Sequence, residues 1–284
     1  MNGRDLQDRD GRLRAFLVED LGSGDVTSDA TVPDSARARG ELVARSECVV
    51  SGLDAARRVF ELLDPDVIWE ASRSAGDRAD AGSVLARLSG RARPILGAER
   101  VALNLVQRMS GIATVTRRFV DAVAGTRCRI LDTRKTAPGL RVFDREAVRD
   151  GGGTNNRFDL GAMVLIKDNH RRLAGGVGPA IAAARAKAPS DTRVEVEVES
   201  ETELRDAVAA GPDWILIDNQ SPETVARWCA IAREGGHAPL IEASGNVRLE
   251  NVREYADAGV DAVSVGALTH SVRAADVSLD LHAS

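Results

Sequence analysis

The stretch VEVEVESETELRDAVAAGPDWILIDN, residues 194–219, reads as one strand–helix–strand unit. Val194 to Val198 alternates apolar and charged residues with period two, which predicts a strand with valines on one face and Glu195, Glu197 and Glu199 on the other. Glu201 to Ala210 is Ala-rich with helical periodicity, and Trp214 to Ile217 is a short apolar run. Strands alternating with helices of this length imply right-handed crossovers and a parallel sheet.

The rhythm extends in both directions. Apolar runs recur at Ile130 to Leu131, Met163 to Ile166, Leu240 to Ile241 and Ala262 to Val265, with helical stretches at Gly178 to Ala188, Glu223 to Arg233 and Leu249 to Ala258. A closed or nearly closed α/β barrel is the expected architecture. Each run is followed by polar residues: DTRK, KDNH, the glutamates of VEVEVE, DN, ASGN and GALTH. The carboxyl ends of parallel barrel strands share one rim where active sites collect, so these residues are expected to face one bowl.

The first half reads differently. A helix is predicted from Asp5 to Leu21, a loop from Asp25 to Asp34, and strands at Glu41 to Val50, Asp66 to Glu70 and Ser83 to Leu88, the last two separated by the turn-rich AGDRADAG. This pattern suits a small open α/β layer. A long helix from Ala98 to about Met109 then leads into the barrel. Residues 1–110 are expected to form the first domain and 111–271 the second. Arg100 falls in the first turn of that predicted helix, where the dipole disfavours a cation. It is either a surface residue paired with a carboxylate such as Glu99 or an arginine aimed at an anion across a subunit boundary.

Composition restricts the function. The 284 residues are 43% hydrophobic and 29% charged with a net charge of −5, which fits an ordinary soluble protein and argues against a general nucleic-acid or anionic-membrane surface. Three cysteines without metal-ligand spacing, no apolar run of membrane-spanning length and no signal-peptide pattern lead to a cytoplasmic expectation. Only three of the 38 basic residues are lysines, and two, Lys135 and Lys167, follow predicted strands. In an Arg-rich chain those positions point to a need for a compact ammonium.

If the valines of residues 194–198 pack on helices, the glutamates face the barrel interior and need cations. The alternative is an edge strand with its glutamates in water, which helices on both sides make less suitable. Asp218 could join Glu197 around a divalent ion, and two carboxylates without His or Cys suit Mg²⁺ shared with phosphate oxygens. Arg134, Lys135, Arg157 and Lys167 supply opposite charge. Ser244, Gly245 and Asn246, like Val265, Gly266 and Ala267, lie between strands and following elements, where backbone N–H groups can cradle a phosphate. The combination suits an anionic substrate carrying several phosphates.

In order along the chain, EDLGSGDVTSDAT, ERVALNLVQRMSGIAT, DTRKTAPGLR, AVRDGGGTNNRF, LIKDNH, VEVEVE, LIDN, EASGN and SVGALTH resemble the quinolinate phosphoribosyltransferases, also called carboxylating nicotinate-nucleotide pyrophosphorylases. The resemblance covers about residues 19–280. It implies an N-terminal open α/β sandwich, an incomplete parallel α/β barrel, and a chain end, about residues 272–284, that returns to the first domain. It also implies a homodimer, or an assembly of dimers, with shared active sites. The implied reaction joins quinolinate to phosphoribosyl pyrophosphate, giving nicotinate mononucleotide, pyrophosphate and CO₂, with Mg²⁺ as cofactor.

By the same resemblance, Arg100 of one subunit, with Arg134, Asn156, Arg157 and Lys167 of the other, would bind quinolinate. Thr133, Lys135, Glu197, Asp218, Ser244 to Asn246 and Val265 to Ala267 would bind phosphoribosyl pyrophosphate. Lys135, Glu197 and Asp218 would be catalytic, and Glu197 and Asp218 would hold Mg²⁺. The chain departs from the family pattern at Asn156, where His is usual, at Ala162, where Asp is common, and at Arg145, where Lys is usual. Other readings are a transferase for a different aromatic acid, a Schiff-base aldolase using Lys135 or Lys167, and a catalytically silent paralogue.

Overall fold

The computed structural model describes residues 3–234 and 238–283, and in the first helix the side chains from Arg9 onward. In chain order the first elements are α1 (Gly3–Leu21), α2 (Val26–Thr31), β1 (Arg37–Ala44), β2 (Cys48–Val49), α3 (Leu53–Leu63), β3 (Ile68–Ala71), β4 (Arg78–Ala79), β5 (Val84–Arg91) and α4 (Ala92–Ala122). There follow β6 (Arg129–Leu131), α5 (Arg141–Asp150), β7 (Val164–Ile166), α6 (Asp168–Ala174), α7 (Val177–Lys187), β8 (Val194–Val198), α8 (Glu201–Ala210) and β9 (Trp214–Asp218). The chain closes with α9 (Pro222–Arg233), β10 (Leu240–Ser244), α10 (Val252–Asp257), β11 (Ala262–Ser264), α11 (Ala267–His270) and β12 (Val277–Ala283).

Two compact units result. The first comprises residues 1–117, 136–152 and 268–284, and the second 118–135 and 153–267. The units are therefore not consecutive stretches: residues 136–152, which carry α5, pack with the first unit.

The first unit holds an antiparallel sheet of order β12-β1-β5-β3. Its register aligns Leu42 of β1 with Leu279 of β12 and Ala86 of β5, so the end of the chain completes this sheet. Leu42, Ala86 and Leu88 are buried, whereas Glu41 and Arg87 lie toward solvent and pair at 2.9 Å. One face is apolar and the other charged, as in an open-faced sheet.

Several local expectations change here. The predicted loop from Asp25 contains α2, because the Asp25 carboxylate accepts the Ser28 N–H and caps the helix. The predicted strand from Glu41 to Val50 is interrupted between Ala44 and Cys48, and β2 turns away to pair with β4 inside AGDRADAG. The helix α3 is an addition to the predicted elements, with Leu53, Ala56 and Phe60 at helical spacing, all buried.

The largest correction concerns α4, which begins at Ala92 and not at Ala98. Pro94 is tolerated because it lies in the first turn, where its missing N–H removes no helical hydrogen bond. The helix also runs on past Gly111, where the backbone of Arg273 and Ala274 passes so close that a Cβ would collide with it. Arg100 therefore sits in the third turn, exposed, and the dipole argument for it lapses.

The second unit is the predicted parallel sheet, six strands in the order β6-β11-β10-β9-β8-β7. All described pairings within it are parallel, and its two end strands, β6 and β7, do not pair with each other. The barrel is incomplete. Strand β8 is an interior strand between β7 and β9 with all five residues buried, which removes the edge-strand alternative for Glu195 and Glu197, whereas Glu199 lies past the end of the strand and is exposed. The helices α5 and α6 add to the predicted set. Among the described residues no helix is long and apolar enough to cross a membrane.

Candidate active site at the carboxyl rim

Parallel register sets which side chains share the barrel interior. Glu197 of β8 and Glu242 of β10 are both aligned with Leu216 of β9, and Asp218 is aligned with Ser244. Side chains at aligned positions point to the same face, so period-two alternation brings these residues to one side of the sheet. Val196, Ile215 and Ile241 occupy the opposite face, fully buried.

A cleft of about 570 Å³ opens at this rim. Thr133, Arg134 and Lys135 line it from the segment after β6, and Asn156, Arg157 and Lys167 from the segment around β7. Glu197, Asp218, Ser244, Gly245 and Asn246 complete the predicted set within it. Arg100 is not among the lining residues, nor are Val265, Gly266 and Ala267. The Val265 side chain is buried, and its N–H is occupied by the Leu131 carbonyl at 3.0 Å.

Charge is arranged in tiers. Lys167 Nζ lies 3.2 Å from Glu197 Oε2, and carboxylate oxygens of Glu197, Glu199 and Asp218 lie within 4.8 Å of one another. Partial burial, with repulsion from Glu197 and Glu199, raises the Asp218 carboxyl above its usual range, and Lys167 and Lys135 oppose this. Three hard oxygen donors already straining against one another fit Mg²⁺, whose charge relieves the repulsion. The nearly buried Arg171 of α6 holds Glu199 at 3.3 Å and Glu203 at 2.5 Å. Lys167, half exposed and ion-paired, is not the desolvated amine that Schiff-base chemistry needs.

On the acceptor side, burial and the neighbouring Arg134 depress the Arg157 guanidinium, while Glu195 supports its charge. It remains a cation. Below lie two carboxyls that sequence reading did not combine. Glu195 and Glu242 are buried, and desolvation raises both above the ordinary range.

Asn219 is a second omission from the sequence reading. Its Nδ2 donates to Asp218 Oδ2 at 2.6 Å, and its Oδ1 accepts from Asn246 Nδ2 at 3.2 Å. Asn219 and Asn246 hold positive φ angles of 54° and 55°, a strained backbone at the rim. Gly245, at φ 88°, lets the two loops meet, because a Cβ there would collide with the Asn219 side chain and lie 2.9 Å from its backbone nitrogen. Gly245→Ala is expected to cost about 1–3 kcal/mol, measured as a lowered melting temperature.

Beyond the geometry, two family models together span most of the chain: "Quinolinate phosphoribosyl transferase, N-terminal domain" matches residues 25–110, and the corresponding C-terminal domain matches 112–280. The nicotinate-nucleotide pyrophosphorylase [carboxylating] of Mycobacterium leprae is 46% identical, covering 95% of each chain. A probable enzyme of the same name from Bacillus subtilis is 41% identical, covering 95% of this chain and 92% of that one. The crystal structure of NadC from Streptococcus pyogenes superimposes with a TM-score of 0.92 at 40% identity, covering 97% of this chain and 96% of that one. On sequence and fold together, this chain belongs to the quinolinate phosphoribosyltransferase family.

Proposed function

We propose that this protein converts quinolinate and phosphoribosyl pyrophosphate to nicotinate mononucleotide, pyrophosphate and CO₂. The observation that carries the reading is the single cleft in which Arg134, Arg157 and Lys167 stand beside the Glu197–Asp218 carboxylates. Family membership supports it.

In this reading Arg134, Asn156, Arg157 and Lys167 bind the two carboxylates of the diacid. Thr133, Lys135 and the loops at Ser244 to Asn246 and Gly266 to Ala267 hold the phosphates of the sugar. The clamped acid presents its ring nitrogen to the anomeric carbon, which is catalysis by positioning. The carbon–nitrogen bond forms as the bond to pyrophosphate breaks, and Lys135 stabilises the charge on the departing oxygens. Glycosylation leaves the ring nitrogen cationic, so the electron pair released with CO₂ is held at the adjacent carbon until a proton replaces the carboxylate.

Glu197 and Asp218 would hold Mg²⁺, with Glu199 within reach. When bound, the ion supplies charge neutralisation for pyrophosphate and its leaving oxygen. The three buried cysteines suit a reducing, cytoplasmic setting.

The reading includes a homodimer in which Arg100 of each subunit completes the other's cleft. Mixing two inactive variants, Arg100→Ala and Asp218→Asn, is then expected to restore roughly a quarter of wild-type activity, because half the dimers are mixed and each of those has one intact site. No recovery on mixing would refute shared sites.

The direct test incubates purified protein with quinolinate, phosphoribosyl pyrophosphate and Mg²⁺, with nicotinic acid as the competing acceptor. Nicotinate mononucleotide and stoichiometric CO₂ from quinolinate are expected. Ribosylation of nicotinic acid alone would assign a different acceptor.

A further inference from the structure

Beneath the acceptor side of the cleft, one guanidinium joins several layers of the barrel. Arg193, immediately before β8, lies 4.9 Å from the Trp214 ring centroid, and Arg129 lies 5.5 Å from the same ring. Its charge also acts on the buried carboxyls of Glu195 and Glu242. Stacking on a buried indole holds the planar fork in a way that a lysine could not reproduce.

From that position Arg193 Nη2 donates to Asn156 Oδ1 at 3.4 Å. The same oxygen accepts the Arg157 N–H at 2.7 Å, and the Asn156 N–H donates to Asp132 Oδ1 at 2.7 Å. Asp132 is fully buried, so the backbone of Asn156 is anchored as well. These contacts determine the amide orientation: with two donors converging on Oδ1, the flipped amide would set N–H against N–H. Asn156 Nδ2 has no hydrogen-bond partner among the described residues, while the residue lines the cleft with Arg134 and Arg157.

We propose that Arg193 is a positioning residue that locks the Asn156 amide with its NH₂ toward the cleft, making Asn156 a neutral hydrogen-bond donor to a carboxylate of the acceptor acid. The inference rests on the proposed reaction and adds a residue that sequence reading passed over. A donor that does not titrate binds the diacid without taking up a proton. Arg193 acts through Asn156 and does not touch the substrate.

The test is a double-mutant cycle on Arg193→Met, Asn156→Ala and the double variant. It measures the KM of both substrates and the affinity for benzene-1,2-dicarboxylate, which keeps both carboxylates but lacks the attacking nitrogen. Each single variant is expected to weaken diacid binding about 10-fold, the order of one lost hydrogen bond to a charged group. The double variant should be no weaker than Asn156→Ala alone, and the KM for phosphoribosyl pyrophosphate should stay within about twofold in all three.

Additive losses, or equal increases in both KM values, would overturn the assignment and leave Arg193 as a core residue only. If Arg193→Met does not fold, Arg193→Lys replaces it in the cycle, with the same non-additivity expected. Wild-type protein that neither binds the diacid nor uses quinolinate would bring down the proposed reaction together with this inference. Wild-type turnover with an additive cycle would remove the inference alone.

Discussion

Asp218→Asn is expected to lower kcat/KM by about 10²–10³, the usual scale for removing one preorganised electrostatic group, while leaving the melting temperature unchanged or slightly raised. The two effects have one origin. Asp218 ends β9 where Glu197 and Glu199 repel it, and partial burial and that repulsion raise its carboxyl above the ordinary value. A carboxyl whose folded-state value is raised opposes folding at pH above its unfolded value, so replacing it with a neutral amide removes that cost. The amide oxygen can still accept from Asn219 Nδ2, so the rim network at 2.6 Å is retained. The half-saturating Mg²⁺ concentration should rise in the same variant. A large fall in melting temperature would show that Asp218 is structural, and unchanged kcat/KM would remove it from the site.

The second large effect concerns stability. Arg108 of α4 binds Asp144 of α5 through two hydrogen bonds of 2.7 and 2.9 Å, and Asp144 is fully buried. Arg108 also donates to the Thr269 carbonyl at 3.2 Å. Arg108→Met would strand a buried carboxylate, at a cost of about 3–5 kcal/mol, or roughly 10²–10⁴ in the unfolding equilibrium. Even in the wild type, burial raises the Asp144 carboxyl, with Arg108 opposing.

Without Arg108 the carboxyl moves further up, and the sign of the pH effect follows. Between the unfolded and folded values the native state binds the extra proton, so stability falls as pH rises and returns as pH drops. Denaturant melts of Arg108→Met at pH 7 and pH 5 should therefore show the smaller deficit at pH 5. The double variant Arg108→Met with Asp144→Leu should recover most of the loss, since replacing both partners of a buried pair with apolar groups removes the stranded charge. A deficit independent of pH and of Asp144 would refute this account.

The two readings of Arg100 and of β8 show where sequence reasoning holds and where it slips. Valines and glutamates at period two determine β8 because alternation is a property of the strand itself. Whether its carboxylates are wet or buried depends on β7 and β9 flanking it, and the strand–helix rhythm was enough to favour burial. The start of α4 is hard to read from sequence because Pro94 and Gly97 are helix-disfavouring residues, yet Pro is harmless in a first turn, so the helix begins at Ala92. The helix α2 depended on a cap, Asp25 to Ser28, that is visible in the sequence once it is sought.

The primary sequence alone determined the parallel α/β repeat, the polar strand ends and most of the rim: Thr133 to Lys135, Asn156, Arg157, Lys167, Glu197, Asp218 and Ser244 to Asn246. Most of those signals are local, since Arg134, Lys135, Lys167, Asp218 and Ser244 to Asn246 lie at or just after strand ends, which share a rim. Asn156 and Arg157 instead precede β7 in a Gly-rich segment, and Thr133 and Asn156 are indicated by the family resemblance. Tertiary structure alone decided the approach of the buried Glu195 and Glu242 carboxyls, the contact of Arg193 with Asn156, the bridge of Asn219 between two loops and the burial of Asp144 against Arg108. Those contacts join residues 20 to 50 positions apart through sheet register and helix packing, which no local period encodes.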